Sequence, residues 1–317
     1  MIKIESRKLS IDECNRLAGI FMSERKNTPL ESRRKLEDVA QDFAEISASD
    51  DYRLLVAVDE EDNIVGCIYY YVAFRLMDFI SGFIPLVDEN SDSEKIALSL
   101  IEAAKRDTVE RCQSRLEIEF VFPSDEHRAH SKKYVKWYSK CGFKFAAEEM
   151  HMKTDLSAIE LPELDLPHGC TLRNLSEVSY DMLEKPGFRT LENSKEGLFL
   201  SMSHAERRIT LEYFFDKSKP YIDEASLILE RDGKIVGFVI TCMKDDEPDI
   251  GPVGIVPEAR GQGLANYLLV RVLQSLKDMG STNAYLDTTI TNIPAQRLYR
   301  KYGFQEVYHK QFYYWSP

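Results

Sequence analysis

The 317-residue chain lacks most of what would place it in a membrane, on nucleic acid or around a metal. No apolar run approaches the roughly 18–20 residues of a membrane-spanning helix, so no membrane partner is expected. The opening residues, Met1-Ile2-Lys3-Ile4-Glu5-Ser6-Arg7, have no apolar stretch of the kind a secretory signal needs, and a cytoplasmic protein is expected. The six cysteines (14, 67, 112, 141, 170 and 242) include no C-x-x-C pair, which points to reduced thiols rather than disulfides or a zinc site. The six histidines form no metal constellation either: His127-x-x-His130 has helical spacing but no third ligand, and no metal is expected. A basic surplus is also missing. The 41 Lys and Arg residues face 53 Asp and Glu, for a formal charge of −12, and acidic residues outnumber basic ones in both halves. Such a field serves solubility, disfavours nucleic-acid partners and is compatible with a cationic amine ligand.

Hydrophobic residues make up 44% of the chain, enough for cores, and the length suits two ordinary domains. Ile2–Glu5 reads as a strand and Ile11–Met22 as a helix, with Ser10 and Glu13 spaced as a capping box. A helix over Leu30–Ile46 leads to strands Leu54–Val58 and Ile64–Tyr71, joined by an acidic turn. Phe79–Val87 is one apolar strand candidate, Ser91–Arg111 a helix, Leu116–Phe122 a strand and Ala129–Lys140 a helix stopped at Cys141-Gly142-Phe143. Strand structure follows through Met152. Residues 157–169, with two prolines and a glycine, read as a linker.

The order then begins again, with a strand over Cys170–Arg173, a helix over Ser176–Leu183 and one or two helices over Gly197–Phe215. Strands Ala225–Glu230 and Lys234–Thr241 flank Asp232-Gly233, a hairpin signal. Leu55-Val56-Ala57-Val58…Ile64-Val65-Gly66 matches Ser226-Leu227-Ile228-Leu229…Ile235-Val236-Gly237 without a gap. Tyr138-Ser139-Lys140-Cys141-Gly142-Phe143 matches Tyr299-Arg300-Lys301-Tyr302-Gly303-Phe304. Two similar units in tandem is the economical reading. The expected domains are 1–156, a linker at 157–169, and 170–317.

Residues 249–304 carry the chemistry. Asp249 to Val256 alternates as a strand. Arg260-Gly261-Gln262-Gly263-Leu264-Ala265 then turns the chain into a periodic helix ending near Met279. Glycines there permit positive φ and a close approach of ligand to backbone. The free N–H groups and dipole of the helix start, with Arg260 adding charge at the mouth, make an anion cradle suited to a pyrophosphate. The stretch has neither the third glycine of a dinucleotide fingerprint nor a P-loop lysine. A strand over Ala284–Thr288 and a helix after Asn292 follow.

Arg260-x-x-Gly263-x-Ala265 resembles the acyl-CoA pyrophosphate signature of the GNAT superfamily of N-acetyltransferases. Asn292-x-x-Ala295-x-x-Leu298-Tyr299-x-Lys301-x-Gly303-Phe304 resembles its second motif. The two occur in the family's order, and the tandem layout resembles the mycothiol synthase type. The resemblance implies an α/β fold (α+β in some schemes) of two tandem GNAT-like domains, each a mixed, mostly antiparallel sheet flanked by helices. It implies acetyl-CoA as co-substrate, acetyl transfer by direct attack of a primary amine, and an acceptor that is a small molecule or peptide. A non-catalytic acyl-CoA-binding or partner-binding module is the alternative.

In that family the strand before the glycine turn splays from its neighbour and pairs with the pantetheine arm, which here assigns Val253, Gly254 and Ile255 to the cofactor. Arg260, Gly261, Gln262, Gly263, Leu264 and Ala265 form the pyrophosphate cradle. Asn292 bonds the pantetheine or caps its helix. The resemblance makes Tyr299, a phenol protonated at neutral pH, the candidate general acid for the departing thiolate. Asp249 is a candidate base, placed by alternation on one face with Gly251, Val253 and Ile255; Glu212 is a more distant candidate. Aligning the helix starts sets Asp92-Ser93-Glu94-Lys95-Ile96-Ala97 opposite Arg260–Ala265. Carboxylates standing where phosphates would go imply that the first copy is degenerate.

Overall fold

The computed structural model describes residues 2–72, 74–89 and 92–317. The chain forms two compact units, Met1–Ala146 with Lys310–Pro317, and Ala147–His309.

The first unit runs β1 (Lys3–Glu5), α1 (Ile11–Arg25), α2 (Leu36–Ala48), β2 (Tyr52–Val58), β3 (Ile64–Tyr71), β4 (Met77–Ser81), β5 (Leu86–Val87), α3 (Ser93–Glu110), β6 (Arg115–Phe122) and α4 (Asp125–Lys140), then enters β7 (Lys144–Asp155). Its strands stand in the order β1-β2-β3-β4-β6, with β5 pairing β3. One face of the sheet packs on α1 and α2 through Leu17, Phe43, Leu54 and Val56. The other packs on α3 and α4 through Leu100, Ile118, Phe120 and Tyr138. The capping box of α1 forms as spaced: Glu13 N donates to Ser10 Oγ (3.3 Å) and Ser10 N to Glu13 Oε2 (2.7 Å).

Helix α2 starts at Leu36, six residues later than its apolar pattern suggests. Arg33, Arg34 and Lys35 would oppose the dipole of a helix beginning at Leu30, whereas a start at Leu36 puts Glu37 and Asp38 in the first turn. The Phe79–Val87 run is two strands, because the chain bows out of the sheet between them. The helix expected over Ser91–Arg111 forms as α3; Ser91 itself lies outside the described residues. At the start of α3, Glu94 is held by Lys140 and by Lys136 (3.7 Å). Tyr138, the counterpart of Tyr299, is fully buried and donates to Ile84 O (2.9 Å). β4 is zipped to β6 over five parallel pairs, Met77↔Arg115 to Ser81↔Glu119.

The second unit takes residues 147–155 of β7, then β8 (Cys170–Asn174), α5 (Tyr180–Glu192), α6 (Gly197–Leu200), α7 (His204–Phe214), β9 (Leu227–Arg231), β10 (Lys234–Lys244), β11 (Glu247–Ile255), α8 (Leu264–Asp278), β12 (Asn283–Thr289), α9 (Ile293–Lys301) and the start of β13 (Gln305–Trp315). Its sheet runs β7-β12-β11-β10-β9-β8. The boundary drawn on composition at 157–169 falls within this unit. Residues 149–155 belong to it because they pair antiparallel with β12, Glu149↔Thr289 through Asp155↔Asn283. Helix α8 covers one face through Leu264, Leu268, Val272 and Leu276. Helices α5 and α7 cover the other through Leu183, Leu191, Leu211 and Phe215, packed on Phe238 and Ile240. That packing carries α5 through Pro186, where the sequence reading stops at Leu183. Burial of Leu191 and the fit of Gly187 under Leu211 and Phe215 offset the hydrogen bond that proline forfeits. Among the described residues all six cysteines are free. None of the described helices is long and apolar enough to cross a membrane.

Candidate active site

The site is built around a fork in the second unit's sheet. β11 pairs with β10 from Glu247↔Lys244 to Ile255↔Gly237. On its other edge it meets β12 at a single pair, Asp249↔Tyr285. The strands touch at Asp249 and part toward Ile255, so the β12-facing backbone edge over residues 251–255 has no strand partner among the described residues. Such an edge must find hydrogen bonds elsewhere and suits an extended ligand. Val253, Gly254 and Ile255 all lie on it.

The fork also corrects the placement of Asp249. The β10–β11 register shifts between Val239 and Thr241, a bulge that puts an extra residue into β11 at Gly251-Pro252. Proline has no N–H for a ladder, and one extra residue reverses the phase of everything beyond it. Asp249, opposite Cys242, therefore shares its face with Gly254, opposite Phe238. Val253 and Ile255 point to the α8 face. Asp249 stands on the α5 side of the sheet, not with Val253 and Ile255.

Gly254 has a packing reason to be glycine. A Cβ there would lie 2.5 Å from Phe238 Cζ and 2.6 Å from Thr190 Cγ2. The cradle glycines differ. Gly261 and Gly263 have φ of +74° and +78°, and a Cβ on either would meet nothing within 4 Å. Their backbone conformation favours glycine, and the space before them is open. Gly263 caps α8 without any side-chain hydrogen bond, and no acidic residue occupies the first turn. The N–H groups at Leu264 and Ala265 thus begin a helix whose positive end is left for an anion. Buried Leu264 anchors that turn to the core.

Arg260 does not extend into the mouth. Its guanidinium donates to Ile255 O (3.0 Å), Thr190 O (2.9 Å) and Asn193 O (2.6 Å). The last two are carbonyls at the C-terminal end of α5, where a helix leaves acceptors unpaired and favours a cation. Arg260 ties the turn to α5. Two further cations stand at the turn: Arg189 pairs with Glu258 (2.7 Å), and Arg231 donates to Gln262 Oε1 (2.5 Å), while Gln262 donates to Glu258 O (3.3 Å). Arg231 ends β9, and nothing in the spacing of the glycine motif signals it.

Tyr299 is buried on α9 against Phe304, ring centroids 5.9 Å apart. Among the described residues its hydroxyl has no hydrogen-bond partner. Burial, with the Glu196 carboxylate close by, pushes the phenol well above its ordinary range, so it holds its proton. Asn292 caps α9, accepting from Ala295 N (3.5 Å), while its amide donates to Glu196 Oε1 (3.2 Å). Glu196 is half-buried and its pKa is raised by that burial, which the Asn292 hydrogen bond partly opposes. Its loop is pinned at both ends: Arg260 holds Thr190 and Asn193, and Thr289 Oγ1 donates to Lys195 O (3.2 Å). The sequence reading missed Glu196, because only the packing of this loop on β12 and α9 brings it to Tyr299. Glu212, by contrast, sits on α7 beside Arg208 (3.5 Å).

The arrangement has two sides. From the α8 side come an open helix terminus, a free strand edge and a protonated phenol. From the α5 side come the carboxylates Asp249 and Glu196. A forked sheet with an uncapped helix after a two-glycine turn offers an extended anionic ligand both a strand edge and a helix terminus. Residues 195–304 match the Acetyltransferase (GNAT) family. The chain carries a GNAT acetyltransferase domain.

A mycothiol acetyltransferase of Thermomonospora curvata is 30% identical over 161 residues, covering 49% of this chain and 50% of that protein. The chain spans about half the length of the curated mycothiol acetyltransferases it matches. A GCN5-related N-acetyltransferase from Sphaerobacter thermophilus superposes with a TM-score of 0.59 at 16% identity, over 99% of this chain and 95% of that one. A tandem GNAT protein from the clavulanic acid pathway gives 0.51 at 13% identity, over 99% and 98%. These likenesses bear on fold, and the fold is a mixed, mostly antiparallel α/β sheet flanked by helices.

Proposed function

We propose that the protein is an acetyl-CoA-dependent N-acetyltransferase that acetylates a primary amine by direct attack. The reading rests on one observation: the fork opens between an unpartnered strand edge and an uncapped helix start, with the free Tyr299 hydroxyl behind it. Gly261, Gln262, Gly263, Leu264 and Ala265 would hold the pyrophosphate by backbone N–H groups, and Val253 to Ile255 the pantetheine, with Asn292 at the α9 end. The residues fit the group, since a Cβ at either cradle glycine would meet open space. Acetyl-CoA supplies an activated acyl group, and transfer leaves a thiolate on one side and an extra proton on the amine nitrogen on the other. Tyr299 gives its proton to the sulfur. A carboxylate on the α5 side takes the proton of the amine.

Asp249 and Glu196 are the two carboxylates for that second role, and Glu196 is favoured by its place beside Tyr299 and by its raised pKa. A base must be ionised, so activity should rise with pH through that raised value. Glu196→Gln is expected to lower kcat/KM by about 10- to 100-fold and to remove the acidic limb of the pH profile. An unchanged limb in Glu196→Gln, lost instead in Asp249→Asn, would return the role to Asp249.

The first unit is proposed to be a degenerate copy. Its helix start carries Glu94 paired to lysines, and Tyr138 is committed to Ile84 O. Calorimetry is expected to find one acetyl-CoA per chain; two would sink this reading. Mass spectrometry of an amine panel incubated with enzyme and acetyl-CoA tests the activity itself. Binding without turnover of any amine would favour a non-catalytic acyl-CoA-binding module. The protein is proposed to work in the cytoplasm on a small-molecule or peptide amine.

A further inference from the structure

The first unit contains a cavity of about 240 Å³ that its degenerate cofactor slot does not explain. It arises where β3 loses and regains its neighbour. β3 meets β4 at Tyr71↔Phe79, and meets β5 at Cys67↔Leu86 and Gly66↔Val87. Between these closures the chain bows away from β3 toward β6. At Gly82 the approach is so close that a Cβ would lie 2.4 Å from Glu119 O and 3.0 Å from Phe120 Cα. In the second unit the strand before the helix keeps its earlier neighbour and parts from the later one. In the first unit β4 holds β6 over five pairs but meets β3 at one, so this opening lies on the β3 side of β4. The second unit's fork lies on the β12 side of β11, away from β10.

Its wall has a definite chemistry. Tyr71, Phe79 and Glu117 lie in register across three strands, and Ser81 and Glu119 make the next pair. Tyr69 and Phe312 add aromatic surface. Among the described residues Glu117 and Glu119 are the charged side chains of the lining, and no basic residue contributes to it. Glu117 is buried and fixed by Arg115 Nε at 2.8 Å; Arg115 in turn lies 4.0 Å from the centroid of the Tyr314 ring. Glu119 is half-exposed, with Lys310 Nζ at 3.8 Å. Both cations stand outside the lining, so a ligand meets carboxylates and aromatic rings. Burial pushes the Tyr69 phenol up to about 12, which keeps it neutral.

We propose that this cavity is a second ligand site, for a small organic monocation: an ammonium group on a compact apolar body. Carboxylate oxygens and ring faces stabilise a cation, and the aromatic walls take the apolar part. Phosphate-bearing ligands, coenzyme A included, would be repelled by the same carboxylates.

The probe is cyclohexylmethylammonium, set against its neutral counterpart cyclohexylmethanol, titrated into the full chain by calorimetry. The amine is expected to bind at least about tenfold more tightly than the alcohol. Glu119→Gln and Tyr71→Ala are each expected to lower amine affinity about fivefold or more while leaving acetyl-CoA binding unchanged. Should Tyr71→Ala fail to fold, Glu119→Gln, at a half-exposed position, carries the test alone. Equal affinity for amine and alcohol would overturn the proposal, as would the absence of amine binding at millimolar concentration. Amine affinity unaltered by Glu119→Gln would place the ligand elsewhere and also overturn it. Acetyl transfer by the second unit is unaffected by any of these outcomes, so the two readings fail separately.

Discussion

Gly263→Glu is expected to weaken acetyl-CoA binding by about 100-fold or more, close to 3 kcal/mol. Two effects combine. A non-glycine residue at a φ of +78° is strained by about 1–2 kcal/mol, and the new carboxylate stands at the helix terminus proposed to take the phosphate oxygens. Like charges about 4 Å apart repel by ~1 kcal/mol in water and by ~4 kcal/mol near a protein surface. Gly263→Ala separates the two terms. It carries the strain without the charge and meets no steric obstacle, so it should lose no more than about tenfold. Calorimetric affinity retained in Gly263→Glu would remove the cradle from α8. Equal losses in the alanine and glutamate variants would assign the effect to backbone strain alone.

Tyr299→Phe is expected to lower kcat by about 10²–10³-fold while acetyl-CoA affinity stays within about twofold. The ring packs on Phe304 and the hydroxyl has no partner among the described residues, so phenylalanine should keep the packing and remove only the proton donor. The expected split, kcat falling with binding intact, distinguishes a proton donor from a core aromatic. A kcat within about threefold of the parent would leave Tyr299 structural, as its counterpart Tyr138 is by virtue of its hydrogen bond to Ile84 O.

How far the site could be read in advance varied with the residue. Gly261 and Gly263 were legible because a helix start that needs positive φ and open space admits little else, and the φ values bear this out. Ser10 and Glu13 were legible for the same kind of reason: a capping box is a contact between near neighbours in the chain. Arg260 was misread. A cation beside two glycines suggests a phosphate partner, yet the carbonyls at the end of α5, about 70 positions earlier, claim it. Asp249 was misplaced because period-two alternation holds only without a bulge, and the bulge shows only once β10 and β11 are paired.

The sequence by itself determined the order of elements, the doubling of the unit and the two-glycine turn before α8, and it singled out Tyr299 within its motif. Each element, turn and motif depends on residues close together in the chain, where propensity, spacing and backbone conformation act directly. Only the tertiary structure decided which face Asp249 occupies, what Arg260 holds, why Gly254 is glycine, and that Glu196 reaches Asn292. It also decided that β4 meets β3 at a single pair, which leaves an opening between them. Each of these turns on strand register or on contacts between distant segments, and a one-residue shift in register reverses every side chain beyond it.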